Sequence, residues 1–253
     1  MRILTFDIET SPHLSFHWRR WQENIPAANT IEESQVLCWA AKWADENKVM
    51  FMSEWDDGFE AMMQGIWDLL DEADVVVGFN SQKFDVKRVN AEFLRMGWEA
   101  PSPFQQVDLF LQTKKHFAFS SNRLKDLLKE LGLSPKLEDN ANMALWMDVV
   151  WGKKKGAQNR MAAYCKQDVR STEEFYNYML GWISPHPNWG LFVNDTKHGD
   201  KVCPNCGSTH IKVHKRRYTR VNAYNQYKCS DCGTYARGRK TLTPKKEMPH
   251  VLA

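Results

Sequence analysis

The sequence predicts an α/β fold: a mixed β-sheet flanked by helices, with a small cysteine-bearing module at the C-terminus. Three observations lead there. Strand-type runs fill much of the first 55 residues, where VLCWAAKWA and KVMFMSEW follow a first strand in ILTFDI. From DGFEAMMQGIWDLLDEA onward, apolar residues recur at helical spacing, at Phe59, Met62, Met63, Ile66, Leu69 and Leu70. Beyond the Pro- and Gly-punctuated SPHPNWG, the chain turns basic and cysteine-rich.

The elements follow in order. A strand over residues 2–8 gives way to the polar, Trp-containing SPHLSFHWRRWQEN. ADVVVGFN is a short strand of the fully buried type, ending in Gly78 and Asn80. FDVKRVNAEFLRMGW reads as a helix that closes at Gly97, with Pro101 beyond. VDLFLQTKKHF and SNRLKDLLKELGL read as two more amphipathic helices, the second stopped by Gly132. NANMALWMDVVW and the long NRMAAYCKQDVRSTEEFYNYMLGWI complete the helical half. The pattern is β-β-β-α-β-α and then helices, a layered α/β architecture whose strand order the pattern leaves open. We expect a main domain over 1–183, a linker over 184–199 and a basic domain over 200–253.

Length and composition bound the answer. At 253 residues the chain has room for one good-sized core and an appendage. A content of 43% hydrophobic and 26% charged residues excludes wholesale disorder. No apolar run approaches the roughly 18 residues of a membrane helix, and the N-terminus lacks a signal-peptide pattern. The expectation is a soluble, cytoplasmic protein with no membrane partner. The net charge of +3 hides an asymmetry. Residues 197–253 carry thirteen Lys and Arg against three Asp and Glu, whereas the rest holds 21 bases and 28 acids. A body of net −7 thus precedes a tail of net +10, and such a tail suits a polyanion, most often nucleic acid.

The first strand ends on two carboxylates, Asp7 and Glu9. Strand alternation points residues two apart to the same face, so these acids lie side by side and repel unless a cation or a proton intervenes. A strand end running into water is the ordinary alternative. Asp85 opens the helix after a buried strand, near the strand ends where α/β sheets bind ligands, although an Asp there is usually a cap. Tyr164 and Asp168 are four apart on a helix and share a face, as exposed surface pairs also do.

Taken together, FDIET, then NSQKFD, then YCKQD resemble the three ordered motifs of the DEDD superfamily of 3′–5′ exonucleases, whose fold is RNase H-like. The third motif has the Y-x-x-x-D form, and VDLF followed by SNRLKDLLKELGL is similar to the family's intervening segment. The resemblance covers residues 1–182. It implies hydrolysis of phosphodiesters in single-stranded nucleic acid, with two Mg²⁺ or Mn²⁺ ions per site held by Asp7, Glu9, Asp85 and Asp168. It gives Asp7, Glu9 and Asp168 the water-activating ion, Asp7 and Asp85 the second, and Tyr164 the placement of the attacking water. The residue types make sense chemically, because a carboxylate cradle turns mutual repulsion into cation affinity. The family's hydrophobic wedge after the first motif is replaced here by Ser-Pro-His-Leu and an insertion with Trp18, Arg19, Arg20 and Trp21.

The cysteines divide cleanly. Cys203 and Cys206, then Cys229 and Cys232, form two C-x₂-C pairs 22 residues apart, each followed by Gly. The arrangement resembles a zinc ribbon and implies one structural Zn²⁺ on four thiolates. Disulfides or redox pairs are the alternatives. Cys38 and Cys165 read as small buried residues. Around the knuckles, Lys215, Arg216, Arg217, Tyr218, Arg220, Arg237 and Arg239 are candidate nucleic-acid contacts, Lys and Arg for phosphates and Tyr for bases. The leading expectation is a 3′–5′ exonuclease on single-stranded DNA, with a replication or repair protein as partner. RNA is the competing substrate. The competing functions are a structure-specific endonuclease and a non-catalytic recruitment protein.

Overall fold

The structure is a computed structural model and describes residues 1–19, 21, 24–133, 142–192 and 201–243. The chain divides into two compact units, Arg2–Tyr176 on one side and Asn177–Ala253 with Met1 on the other. The linker expected over 184–199 falls partly outside the described residues.

The larger unit opens with β1 (Ile3–Thr10), a small hairpin of β2 (Leu14–Ser15) and β3 (Thr30–Glu32), then β4 (Val36–Trp43) and β5 (Met50–Ser53). Helices α1 (Glu54–Asp57) and α2 (Phe59–Glu72) lead to β6 (Val75–Gly78), α3 (Asp85–Arg95), β7 (Gln105–Asp108) and α4 (Leu109–His116). Then come α5 (Leu124–Glu130), α6 (Met143–Val150) and α7 (Lys155–Met179). The sheet order is β5-β4-β1-β6-β7, with β1 antiparallel to β4 and parallel to β6. The predicted mixed sheet is present, and β1 lies at its centre.

β7 is a difference from the sequence reading, which ran VDLF into a helix. Only four residues long and exposed at Gln105 and Gln106, β7 is an edge strand without the apolar run that marks β6. Its last residue, Asp108, caps α4 by accepting the N–H groups of Phe110 and Leu111.

Alternation along β1 and β4 builds two cores. Leu4, Phe6 and Ile8 pack with Trp39, Ala41 and Trp43 under α2 and α3. Met62, Ile66 and Leu70 of α2 recur every four residues and are fully buried there, each side chain contributing about 1.5–3 kcal/mol. On the opposite face Cys38 and Ala40 pack with Leu145 and Val149 of α6 and with Met161, Cys165 and Val169 of α7. Thr5, Asp7 and Glu9 alternate with the core residues of β1, and so face α7.

In the second unit, β8 (Ile211–Tyr218), β9 (Ala223–Cys229) and β10 (Tyr235–Thr241) form an antiparallel sheet in the order β10-β9-β8. The four cysteines of the two knuckles stand at its head. Among the described residues, no helix is long and apolar enough to cross a membrane.

Candidate active site

Asp7 and Glu9 project from the same face of β1, opposite Ala40 and Cys38 of β4. Their ligand atoms and the Cys165 sulfur lie within 4.8 Å of one another. Cys165 is fully buried on α7, with its Sγ 3.6 Å from the Asp7 carbonyl oxygen and 4.0 Å from Asp7 Oδ2. Burial pushes its thiol well above the ordinary range, and the nearby Cys38, Asp7 and Glu9 act in the same direction. The sequence reads this cysteine as a small buried residue. It is buried, and it also touches Asp7.

Asp85 arrives from the other side of the sheet. β6 pairs with β1 only as far as Thr5, so the β1 edge beyond is open to another partner. Asp85 Oδ1 accepts the Ile8 N–H at 3.1 Å, placing a third carboxylate beside the residue that separates Asp7 from Glu9. The turn that delivers Asp85 is tightly specified. Asn80 takes a positive φ of 65°, and Asp108 accepts the N–H groups of Asn80 and Gln82 at 3.0 and 3.2 Å. A Cβ on Gly78 would stand 2.4 Å from Ser81 Cβ, so only glycine fits this close approach. Asp85 is 4% exposed. Burial lifts its pKa to about 7, the Ile8 N–H lowers it in part, and the Asp108 charge raises it further.

Asp168 and Tyr164 sit on α7, three residues after and one before Cys165, and Asp168 is buried. The Asp7–Glu9–Cys165 group includes neither Asp85 nor Asp168. Tyr164 is half-buried, with its ring 6.5 Å from that of Trp146 and nearly edge-on. Trp146 Nε1 donates to the Thr10 carbonyl at 3.1 Å, tying α6 to the end of β1. With Thr10, Ser11, Pro12, Asn142 and Met143, it lines a cleft beside the carboxylates. Sequence reasoning missed Trp146, Asp108 and the placement of Cys165. A buried capping Asp after a valine was the available signal for Asp108; the other two depend on tertiary packing. Trp18 and Trp21 of the insertion are almost fully exposed, and Arg20 lies outside the described residues.

The hard carboxylate oxygens of Asp7 and Glu9 suit a divalent cation, whose charge would offset the cost of crowding acids together. The second metal-type cluster is Cys203, Cys206, Cys229 and Cys232. Sγ–Sγ distances of 3.5 Å (Cys203–Cys232) and 3.7 Å (Cys206–Cys229) far exceed a disulfide. They are close to the ~3.8 Å tetrahedral edge implied by a Zn–S bond of about 2.3 Å. Gly207 and Gly233 carry the knuckles round at φ of 73° and 77°. Burial pushes Cys203 up to about 11. At Cys229 burial is outweighed by the N–H groups of Cys232 and Asp231, which bring it down to about 7. Lys215, Arg216, Arg217 and Tyr218 lie on β8, Arg220 in the following turn, and Arg237 and Arg239 on β10, all exposed.

A five-stranded mixed sheet with helices on both faces and acids at the end of its central strand defines a nuclease-type α/β fold. The chain belongs to the RNase H superfamily, whose sequence profile matches residues 30–180. Among solved structures it is similar to the family B DNA polymerase from the hyperthermophilic archaeon Pyrobaculum calidifontis. That match has a TM-score of 0.55 and 18% identity, over 71% of this chain and 24% of the polymerase. The chain thus spans about a quarter of that polymerase, and at this identity the likeness concerns the fold. No curated protein matches the sequence.

Proposed function

We propose that the protein is a metal-dependent 3′–5′ exonuclease of the DEDD type that releases nucleoside monophosphates from single-stranded nucleic acid, DNA in preference to RNA. The observation that carries the reading is the meeting of three separate chain segments at β1. Asp7 and Glu9 come from the strand itself, Asp85 reaches it through the Ile8 N–H, and α7, the helix that carries Tyr164 and Asp168, touches it through the Cys165–Asp7 contact.

In this reading Asp7, Glu9, Asp85 and Asp168 hold two Mg²⁺ or Mn²⁺ ions, which when bound activate water and stabilise the departing oxyanion. The protein's own groups do the rest. Asp7 would be shared by both ions and Asp85 would help to hold the second. Tyr164 orients the attacking water with its phenol. The Trp146 edge fixes the Tyr164 ring. The cleft along Thr10 to Pro12 receives the terminal nucleotide. In the second unit Zn²⁺ on the four cysteines braces a small sheet that holds the substrate strand. A replication or repair protein is the proposed partner.

The test is a time course on a 5′-labelled single-stranded DNA 20-mer and its RNA counterpart, with Mg²⁺, with Mn²⁺ and with each metal plus chelator. The reading expects a ladder shortening one nucleotide at a time on the DNA, abolished by chelator. Internal fragments would indicate an endonuclease, RNA preferred over DNA would reassign the substrate, and an intact label with both metals would indicate a binding protein.

A further inference from the structure

The register of the three-stranded sheet divides its basic residues between two faces. β9 is regular, so Tyr224, Gln226 and Lys228 lie on one face and Ala223, Asn225, Tyr227 and Cys229 on the other. Cross-strand partners share a face. Lys212 and Tyr235 therefore join Lys228, Lys215 and Arg237 join Gln226, and Arg217 joins Tyr224. Val213 and Ala236 pair instead with Tyr227, which places Arg216 and Tyr218 with them on the second face.

The first face consequently bears five cations, and Lys212, Lys215, Arg217, Lys228 and Arg237 are all exposed. Residues 201–243 contain ten Lys and Arg and one acid, Asp231, and Asp231 is engaged by His210. Two aromatic platforms stand among the cations. Tyr235 is 45% exposed, with the His214 ring edge-on at 5.3 Å and Lys228 Nζ 5.6 Å from its centroid. The planar Arg237 guanidinium lies over Tyr224 at 4.5 Å. Four residues of extended chain put the two platforms about 14 Å apart along the sheet.

We propose that this face, and not the opposite one, is a binding site for a single nucleic-acid strand, with bases stacking at Tyr235 and at the Tyr224–Arg237 pair and phosphates tracking the five cations. The proposal deepens the nuclease reading by naming the surface that retains the substrate. Its chemistry requires unpaired bases, since a tyrosine on a sheet reaches a base face only where the strand is unstacked. A duplex would offer phosphates alone.

The experiment is fluorescence anisotropy with the full zinc-loaded chain in an Asp7→Asn background, which keeps the probe intact. The probes are a labelled dT 20-mer, a U 20-mer and a mixed-sequence duplex. Tyr224→Ala with Tyr235→Ala is expected to weaken single-strand binding ~10-fold or more. Lys212→Gln with Lys228→Gln is expected to lower the log–log salt slope by about 1.4. The opposite-face pair Arg216→Gln with Tyr218→Ala is expected to stay within about 3-fold of the parent at moderate salt, the loss of a single cation being small there. Zinc content equal to the parent's certifies that each variant is folded. Equal losses from both faces, no loss from the tyrosine pair, or tighter binding of the duplex would overturn the proposal. Hydrolysis of a dinucleotide by the wild-type chain scores the nuclease reading separately. Cleavage with unaltered binding by the first-face variants refutes only this inference. The predicted binding losses without any cleavage refute only the nuclease.

Discussion

Asp85 accepts the backbone N–H of Ile8 at 3.1 Å, so a buried carboxylate from α3 is fastened to the peptide between Asp7 and Glu9. Burial of this carboxylate, which outweighs the lowering by the Ile8 N–H, gives stability a pH dependence. The folded-state pKa of about 7 lies above the ordinary 3.8, so protonated Asp85 favours the fold. That contribution is lost as pH climbs from about 4 through 7, roughly 2–3 kcal/mol of it between pH 5 and pH 8. Without added Mg²⁺ or Mn²⁺, the wild-type Tm is expected to fall over that interval relative to Asp85→Asn. Adding Mn²⁺ should raise the wild-type Tm more at pH 8 than at pH 5, because the ion competes with the proton. Parallel pH curves for the two chains would remove Asp85 from this role.

Gly78 offers a test by steric rescue. Gly78→Ala drives a methyl to 2.4 Å from Ser81 Cβ and should cost about 1–3 kcal/mol. It should also depress hydrolysis by displacing Asp85. Ser81 Oγ is buried and has no hydrogen-bond partner among the described residues, so trimming it breaks no bond. The double variant Gly78→Ala with Ser81→Gly is expected to recover most of both losses in denaturant melts and rate assays. An unrecovered double variant would mean that the turn is constrained elsewhere.

Tyr164→Phe keeps the ring against Trp146 and removes only the hydroxyl. We expect kcat to fall ~10- to 100-fold, at the lower end of what a positioned proton-handling group contributes because bound cations share the task. Binding of single strands should change less than about 2-fold, as read by anisotropy. An unchanged kcat would refute the assignment.

Cys203→Ser removes one of four thiolates and is expected to abolish zinc retention, measured by a colorimetric zinc assay after dialysis. Because the carboxylates belong to the other unit, cleavage of a dinucleotide should persist while binding of a 20-mer weakens. Retained stoichiometric zinc in this variant would argue against the four-cysteine site.

Much of this arrangement was legible in the sequence, for physical reasons. β1, β4 and β6 announce themselves through apolar runs, and α2 through a four-residue apolar period. β7 did not, since half of its four residues are exposed glutamines on a sheet edge. Motif order pointed to Asp7, Glu9, Asp85, Tyr164 and Asp168 as a set. No local pattern could show that Asp85 reaches Ile8 across the sheet edge, or that Cys165, one step from Tyr164 on α7, lies against Asp7. Basic residues between the knuckles were visible as charge. Their division between two faces depends on the bulge near His214, which shifts the register of β8 between Val213 and Lys215.

The central claim is that the acids around β1 bind paired divalent cations. Isothermal titration of the zinc-loaded chain with Mn²⁺ at pH 8 tests it most directly, with Asp7→Asn and Asp168→Asn alongside. The account predicts two Mn²⁺ per wild-type chain and loss of at least one in each variant. Titrations of the wild type and both variants that cannot be told apart, or no Mn²⁺ bound at all, would contradict it.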